Sequence, residues 1–228
     1  MSSPSSPMPQ RSLLLVLLGL SIAPLAASLA APRPSDAAPA ATPTLERLAQ
    51  QPPLPIQATI NVEGEPVAID LEPYRPDGVP LEMAVPVGRF TPSVETGDRE
   101  SRVRLTASYQ GEITNEDAYL EIFWPEPAIG LEEGLGRVAG TGGWADREGI
   151  EPIDGTVTSV MPGSTFYPWE VVRWNFQTET DSGIPVFGQV ILGDIDGQTF
   201  WVVSQLPGEF AEGYGPRVDV IAETLRGR

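Results

Sequence analysis

The sequence predicts an α+β domain built on one mostly antiparallel β-sheet of about six or seven strands, with an amphipathic helix at the C-terminus. Two observations carry this prediction. Most of the chain after residue 57 consists of short alternating strand patterns separated by turn residues. Near the end, Val218, Ile221, Ala222 and Leu225 follow at helical spacing and form one apolar stripe. An all-β sandwich with a terminal helix is the alternative, because strand patterns dominate the sequence.

The clearest strand runs from Arg102 to Tyr109, where apolar and polar residues alternate with a period of two. A second strand from Ala118 to Trp124 shows the same period, and a third follows at residues 172–176. This alternation is typical of strands with one buried face. A short strand at residues 81–85 ends before Pro86.

Two hairpins are predicted from turn residues. Glu63-Gly-Glu-Pro66 separates strand patterns at residues 58–62 and 67–71. Asp194-Ile-Asp-Gly197 separates patterns at 186–192 and 199–203, and Asp-Gly tolerates the positive φ angles that tight turns need. Both segments therefore predict antiparallel pairs.

Helical patterns are fewer. A weak helix is predicted over residues 129–138, where three glycines reduce helix propensity. It leads into Gly140-Thr-Gly-Gly-Trp144, part of a long connection over residues 126–167. Long connections of this kind are often functional. Pro216 is predicted to begin the C-terminal helix, since proline is favoured at the first helical position.

The N-terminus predicts export. Residues 1–30 combine Arg11, the apolar run that begins at Leu13, and the small residues Ser28 and Ala30 of a cleavage site. An uncleaved membrane anchor is the alternative. Residues 31–56 are rich in Ala and Pro and predict a disordered tether, so the globular domain is expected over residues 57–228. The expected location is the periplasm, the thylakoid lumen or the extracellular medium, without membrane insertion after cleavage.

The composition excludes several kinds of chemistry. The chain has no His and no Cys, and all 14 of its basic residues are Arg. Ser-His-Asp and Cys-His nucleophilic systems, zinc sites built from imidazole and thiolate, and the lysine of a phosphate-binding loop are therefore absent. The formal net charge of −17 disfavours nucleic acid as a partner. We expect no catalytic residues, no metal site and no cofactor.

Two chemical alternatives stay open. A carboxylate-dependent glycan hydrolase would use a pair from the 31 acidic residues, such as those in the cluster Glu112, Glu116, Asp117 and Glu121. A calcium-stabilised binding domain would use Asp194 to Gly197, which begins like an EF-hand loop but has Gln205 where the twelfth residue should be Glu. A solvated turn and a hairpin turn explain these two segments more simply.

The candidate binding residues are aromatic and arginine side chains, mainly in segments predicted to be loops, because such side chains often anchor partners. They are Trp144, Tyr167, Trp169, Tyr214 and Arg217. The main contact surface is expected in the 126–169 region, with Tyr214 and Arg217 as second candidates. We expect a double substitution of Trp144 and Trp169 by Ala to abolish partner binding while the domain stays folded. The alternative is that these rings fill the edge of a sandwich.

The order of elements resembles the PsbP-like family, extrinsic lumenal proteins of photosystem II. The resemblance covers roughly residues 81–226 and rests on the strand ending at Pro86, the Thr96-Gly-Asp-Arg99 turn, the paired strands and the segment Phe210-Ala-Glu-Gly-Tyr-Gly-Pro-Arg217. It implies an α/β/α sandwich. The sequence also resembles uncharacterised exported cyanobacterial proteins around Trp169, Gly193, Phe200 and Pro207-Gly-Glu-Phe210. The chain departs from the family in its extra N-terminal hairpin and its lack of a lipidation Cys and of His.

These observations together predict an exported, non-catalytic binding or assembly module. Its expected partner is an envelope or lumenal protein.

Overall fold

The computed structural model describes residues 52–150, 167–180 and 183–228, together with the backbone of residues 158–159. The predictions for residues 1–51, including the signal and most of the tether, lie outside the described residues. Residues 52–56 belong to the folded unit, since Leu54 is buried in a small core cluster with Ile60 and Leu71. The packed chain therefore begins before the expected boundary at Gln57.

Strands make up most of the described chain, and all of their pairings are antiparallel. They are β1 (Gln57–Val62), β2 (Glu65–Tyr74), β3 (Leu81–Pro86), β4 (Phe90–Thr96), β5 (Glu100–Tyr109), β6 (Glu112–Ile113), β7 (Tyr119–Pro125), β8 (Thr158–Ser159), β9 (Glu170–Glu179), β10 (Pro185–Ile195), β11 (Gln198–Pro207) and β12 (Arg226–Gly227).

These strands form two sheets rather than the single sheet expected from the sequence. The small sheet has the order β1-β2-β3-β12. The large sheet has the order β4-β5-β7-β11-β10-β9-β8, and β6 pairs with β5. The division falls between β3 and β4, and it was not visible in the sequence because consecutive strands usually pair and these two do not. The small sheet also gains β12, from a segment about 140 residues further along the chain.

Both predicted hairpins are confirmed. Glu63 and Gly64 form the two-residue turn between β1 and β2, with φ angles of 52° and 86°. Asp196 and Gly197 form the turn between β10 and β11, with φ angles of 54° and 83°. Both turns occupy the left-handed region, which two-residue hairpins require. The Gly197 N–H donates to Asp194 Oδ1 at 2.9 Å, so this aspartate serves the turn.

Three helices occur in the described residues: α1 (Leu131–Ala139), α2 (Trp144–Arg147) and α3 (Gly208–Thr224). The weak helix expected over residues 129–138 is confirmed as α1. The expected start of the C-terminal helix at Pro216 is wrong, since α3 begins at Gly208 and contains Pro216. Phe210 and Tyr214, one helical turn apart, pack on a cluster around Leu206 and stabilise the first turns of the helix.

The two faces of the large sheet carry separate cores. One face, here called the helix-pair face, is covered by α1 and α2 around Phe123, Trp174, Leu192 and Trp201. The other face, here called the C-helix face, is covered by α3 and the small sheet, with members such as Met83, Leu105, Ile122, Val202 and Ile221. Successive strand residues alternate between the two cores, as strand geometry requires.

Within the described residues, each face is covered over only part of its width. On the helix-pair face, β4 and β5 present polar residues such as Ser93, Glu95, Arg102 and Arg104. On the C-helix face, β9 and β10 present Asn175, Gln177, Phe187 and Gln189 beyond the edge of α3. Since the two uncovered regions lie on opposite faces and toward opposite edges, they are separate surfaces.

Candidate functional site

The aromatic residues expected to form the main contact surface are buried. Trp144 is 6% exposed and packs edge-on against Phe123 in the core beneath α1 and α2. Trp169 is 4% exposed, and its indole N–H donates to the Ala222 carbonyl of α3 at 2.8 Å. Tyr167 stacks on Trp169 with ring centroids 5.3 Å apart.

This burial corrects the expectation that these rings are exposed anchors. Replacing Trp144 and Trp169 by Ala would leave large cavities in two cores, so the double variant is not expected to stay folded. Their role in partner binding stays a prediction. Residues 151–157 and 160–166 of the expected contact region lie outside the described residues.

The second pair of candidates, Tyr214 and Arg217, lies near the middle of α3, where the helix packs on the start of β4 and the end of β5. The Tyr214 hydroxyl donates to the Ser108 carbonyl at 2.8 Å, and its ring packs edge-on against Phe90 at 5.6 Å. Arg217 lies beside this ring, with its guanidinium carbon 5.9 Å from the centroid. Tyr214 thereby anchors α3 to the sheet and supports Arg217.

Two turns place a second arginine next to this pair. The Ser108 N–H donates to the Arg89 carbonyl at 2.8 Å, and the Gln110 N–H donates to the Gly88 carbonyl at 2.9 Å. Gly88, Gln110 and Gly111 all have positive φ angles, which allows the two chain reversals to lie against each other. The Arg89 guanidinium lies over the Tyr109 ring, 5.1 Å from its centroid.

Arg89 and Arg217 are close enough to repel each other. Burial, and then the positive charge of Arg89, lower the pKa of the Arg217 guanidinium below its ordinary value. Neither arginine forms an ion pair within the part of the chain that the structure describes. The Arg217 Nε atom is buried without a hydrogen-bond partner there. In a chain with 31 acidic residues, two neighbouring arginines without a carboxylate are a local departure from the overall charge.

Exposed apolar side chains border the two arginines. Val87 is 51% exposed, Tyr109 52% and Ile113 47%. Val87 precedes one of the two turns, and Tyr109 and Ile113 flank the other. We call the set Val87, Arg89, Tyr109 and Arg217 the two-arginine surface; Ile113 lies apart from it, because Ile113 pairs with Ser108 and so projects from the face opposite to Tyr109. Arginine, tyrosine and aliphatic side chains at one place are typical of protein-binding surfaces.

Sequence reasoning found Arg217 and Tyr214 but missed Val87, Arg89 and Tyr109. Val87 and Tyr109 fall within or next to apolar strand patterns, where each would be assigned to the core. The available signal was weak: Val87-Gly88-Arg89 and Tyr109-Gln110-Gly111 each place an apolar residue beside a turn glycine. Only the contact between the two turns brings them together.

No group of three or more acidic side chains suited to hold a metal occurs among the described residues. Asp194 to Gly197 is a hairpin turn, as the simpler interpretation of that segment proposed. In the described ranges, no helix is both long and apolar enough to cross a membrane.

Comparison with known proteins gives no family assignment. No family model and no curated protein matches the chain. Among solved structures, the chain is similar to a crystal structure of a protein from Bacteroides thetaiotaomicron VPI-5482, with 9% sequence identity and a TM-score of 0.41. The match covers 68% of this chain and 48% of that chain, so it spans about half the length of the matched protein. The resemblance to the PsbP-like family stays a prediction.

Proposed function

We propose that this protein is a non-catalytic binding module outside the cytoplasm, which holds an acidic segment of a partner protein at the two-arginine surface. The observation that carries the proposal is that Arg89 and Arg217 lie within electrostatic range of each other, on the rings of Tyr109 and Tyr214, without a carboxylate partner in the described residues. A partner carboxylate would supply the missing counter-charge.

The chemistry of the surface supports an acidic peptide segment. A guanidinium can bind a carboxylate through two parallel hydrogen bonds, and Arg217 also donates from Nη1 to the Gly213 carbonyl of its own helix. Both guanidinium groups lie on tyrosine rings, which restrict their conformations before binding. The exposed side chains of Val87 and Tyr109 would contact apolar residues of the same segment. The chain as a whole has a formal net charge of −17, which repels acidic segments from other parts of the surface and so favours binding at this place.

The absence of catalytic function rests on the composition. The chain lacks the His, Cys and Lys residues on which most nucleophilic and acid-base systems depend. Location outside the cytoplasm rests on residues 1–30. The α+β fold class belongs to the same proposal, because helices cover parts of both faces of the large sheet.

The test measures binding of a fluorescent octapeptide of alternating Glu and Leu by anisotropy. We expect saturable binding to the wild-type protein and no binding of the same peptide with Gln in place of Glu. The double variant Arg89→Gln, Arg217→Gln should bind at least about tenfold more weakly, because each lost charge-assisted hydrogen bond is worth about 1.5–3 kcal/mol.

Arg99→Gln is the matched control. Arg99 is an exposed arginine at the opposite end of β4, and its substitution changes the net charge in the same way. It should leave peptide binding unchanged. Equal binding by the wild-type protein and the double variant would contradict the proposal, and so would an equal loss in Arg99→Gln.

A further inference from the structure

A cleft opens between α3 and the uncovered part of the C-helix face. The helix lies along one wall, and strands β9, β10 and β11 form the other. The cavity has a volume of about 410 Å³, which falls in the range of sites for small organic ligands. It lies on a different stripe of α3 from Tyr214 and Arg217 and shares no residue with the two-arginine surface.

Small residues on the helix create the space. Ala211 and Gly215 are one turn apart on the stripe of α3 that faces the cleft. A Cβ atom at Gly215 would meet only the Leu206 side chain, at 3.9 Å. Larger side chains at these two positions would bring the helix surface up to the strands and close the cleft.

The polar lining is mostly uncharged. Asn175, Gln189 and Ser204 lie on neighbouring strands at the same level of the sheet, since Gln189 pairs with both Asn175 and Ser204. None of the three side chains forms a hydrogen bond within the described residues. Each amide both donates and accepts hydrogen bonds, and so does the serine hydroxyl. These three side chains can therefore donate hydrogen bonds to a ligand and accept hydrogen bonds from it.

A carboxylate is held in place on the opposite wall. Asp219 Oδ1 accepts a hydrogen bond of 2.7 Å from the buried Tyr167 hydroxyl. Its second oxygen is left to accept hydrogen bonds from a ligand. Tyr167 was expected to contact a partner directly, whereas the structure places it behind Asp219 as a positioning residue.

An aromatic ring borders the cleft. Phe187 is 47% exposed, although aromatic rings are usually buried on a sheet of this kind. It lies two residues from Gln189 on β10 and therefore projects from the same face. Its exposed ring can pack against the apolar face of a flat ligand that the polar row holds by its edge.

We propose that this cleft binds a neutral carbohydrate of one or two sugar units. Sugar hydroxyls donate and accept hydrogen bonds, as the amides, Ser204 and Asp219 require, and the C–H face of a pyranose ring would lie on Phe187. Anionic ligands are disfavoured, because Asp219 is the one charged residue of the lining and it is negative. This site is independent of the two-arginine surface.

The experiment is saturation-transfer NMR on the full chain with glucose, N-acetylglucosamine, maltose and cellobiose, with glucuronic acid as the anionic comparison. We expect transfer to at least one neutral sugar and at least about fivefold less to glucuronic acid. Phe187→Ala removes the exposed ring, and Ala211→Leu fills the cleft. Each substitution should raise the dissociation constant for the sugar at least about tenfold.

Ile184→Ala is the control, since Ile184 is an exposed apolar residue close to Phe187 along the chain that does not line the cleft. It should leave the signal unchanged. No transfer to any of the four neutral sugars would overturn the proposal. Equal transfer in the wild-type protein and in both cleft variants would also overturn it, because binding would then occur elsewhere.

Discussion

The arginine side chains of this protein carry the same charge but differ in whether a carboxylate lies beside them. Arg226 and Arg75 flank the buried carboxylate of Glu82, at 2.6 Å and 2.9 Å. Arg89 and Arg217 have no carboxylate partner in the described chain. The arginines beside Glu82 therefore hold distant segments of the fold together, whereas Arg89 and Arg217 lie on the surface to which we assign partner binding.

Glu82 yields a prediction about pH. Burial alone would raise the pKa of this carboxyl group, but the hydrogen bonds from Arg226 and Arg75 outweigh burial and lower the pKa below its usual value of 4.5. A lowered pKa stabilises the folded state above the pKa of the unfolded chain, and this contribution disappears as the pH falls through the folded pKa. Glu82→Gln should therefore cost about 2 kcal/mol at pH 7 and less at pH 3.

The measurement is urea unfolding of the wild-type protein and Glu82→Gln at both pH values. Glu133→Gln serves as the control, because Glu133 forms an exposed pair with Arg137 within α1 and its loss should cost less than about 0.5 kcal/mol. A Glu82→Gln penalty that is equally large at pH 3 would show that the ion pairs do not account for it.

At the scale of elements, α1 shows how packing decides the effect of a glycine. Gly134 and Gly136 lie in the same helix, and each weakens it relative to alanine by about 1 kcal/mol. Gly134 faces the sheet, where a Cβ atom would approach Thr199 Cγ2 to 2.7 Å. Gly136 faces open space, with nothing within 4 Å of such an atom. The glycine at 134 is thus needed for the helix to pack on the sheet, and the one at 136 is not.

The two positions should therefore respond in opposite directions. Gly136→Ala should stabilise the protein by about 1 kcal/mol. Gly134→Ala should destabilise it by about 1 kcal/mol net, because the clash with buried Thr199 costs about 1–3 kcal/mol and exceeds the gain in helix propensity. Thermal unfolding of the two variants tests this. Stabilisation by both substitutions would mean that α1 does not pack closely on the sheet.

At the scale of the whole molecule, the large negative net charge destabilises the folded state. The formal net charge is −17, and the ion pairs of Arg75, Arg102, Arg137, Arg173 and Arg226 engage four carboxylates in the described residues. Repulsion among the remaining acidic groups destabilises the compact state and is screened by salt. Raising NaCl from about 10 mM to about 300 mM at pH 7 should therefore raise Tm by about 2–4 °C, which corresponds to about 1 kcal/mol.

The same titration at pH 4.2, the sequence pI, provides the control. Near this pH the net charge is close to zero, so the salt effect should largely vanish. A Tm that falls with salt at pH 7 would show instead that attractive ion pairs dominate the electrostatic energy.

Local patterns in the sequence determined much of the secondary structure. The period of two between Arg102 and Tyr109 predicted β5, and Asp196-Gly197 predicted the turn between β10 and β11, because both features depend on residues adjacent in the chain. Absent residue types likewise excluded several catalytic mechanisms without reference to the fold.

Contacts between distant segments decided the rest. The division into two sheets depends on β3 and β4, which are consecutive in the chain, not pairing with each other, and the early start of α3 depends on the packing of Phe210 and Tyr214. The burial of Trp144 and Trp169, the meeting of Arg89 with Arg217 and the cleft beside Asp219 arise in the same way. A local pattern states which residues share a face of one strand or helix. Which other element covers that face depends on the free energy of packing across the whole chain, and only the tertiary structure shows it.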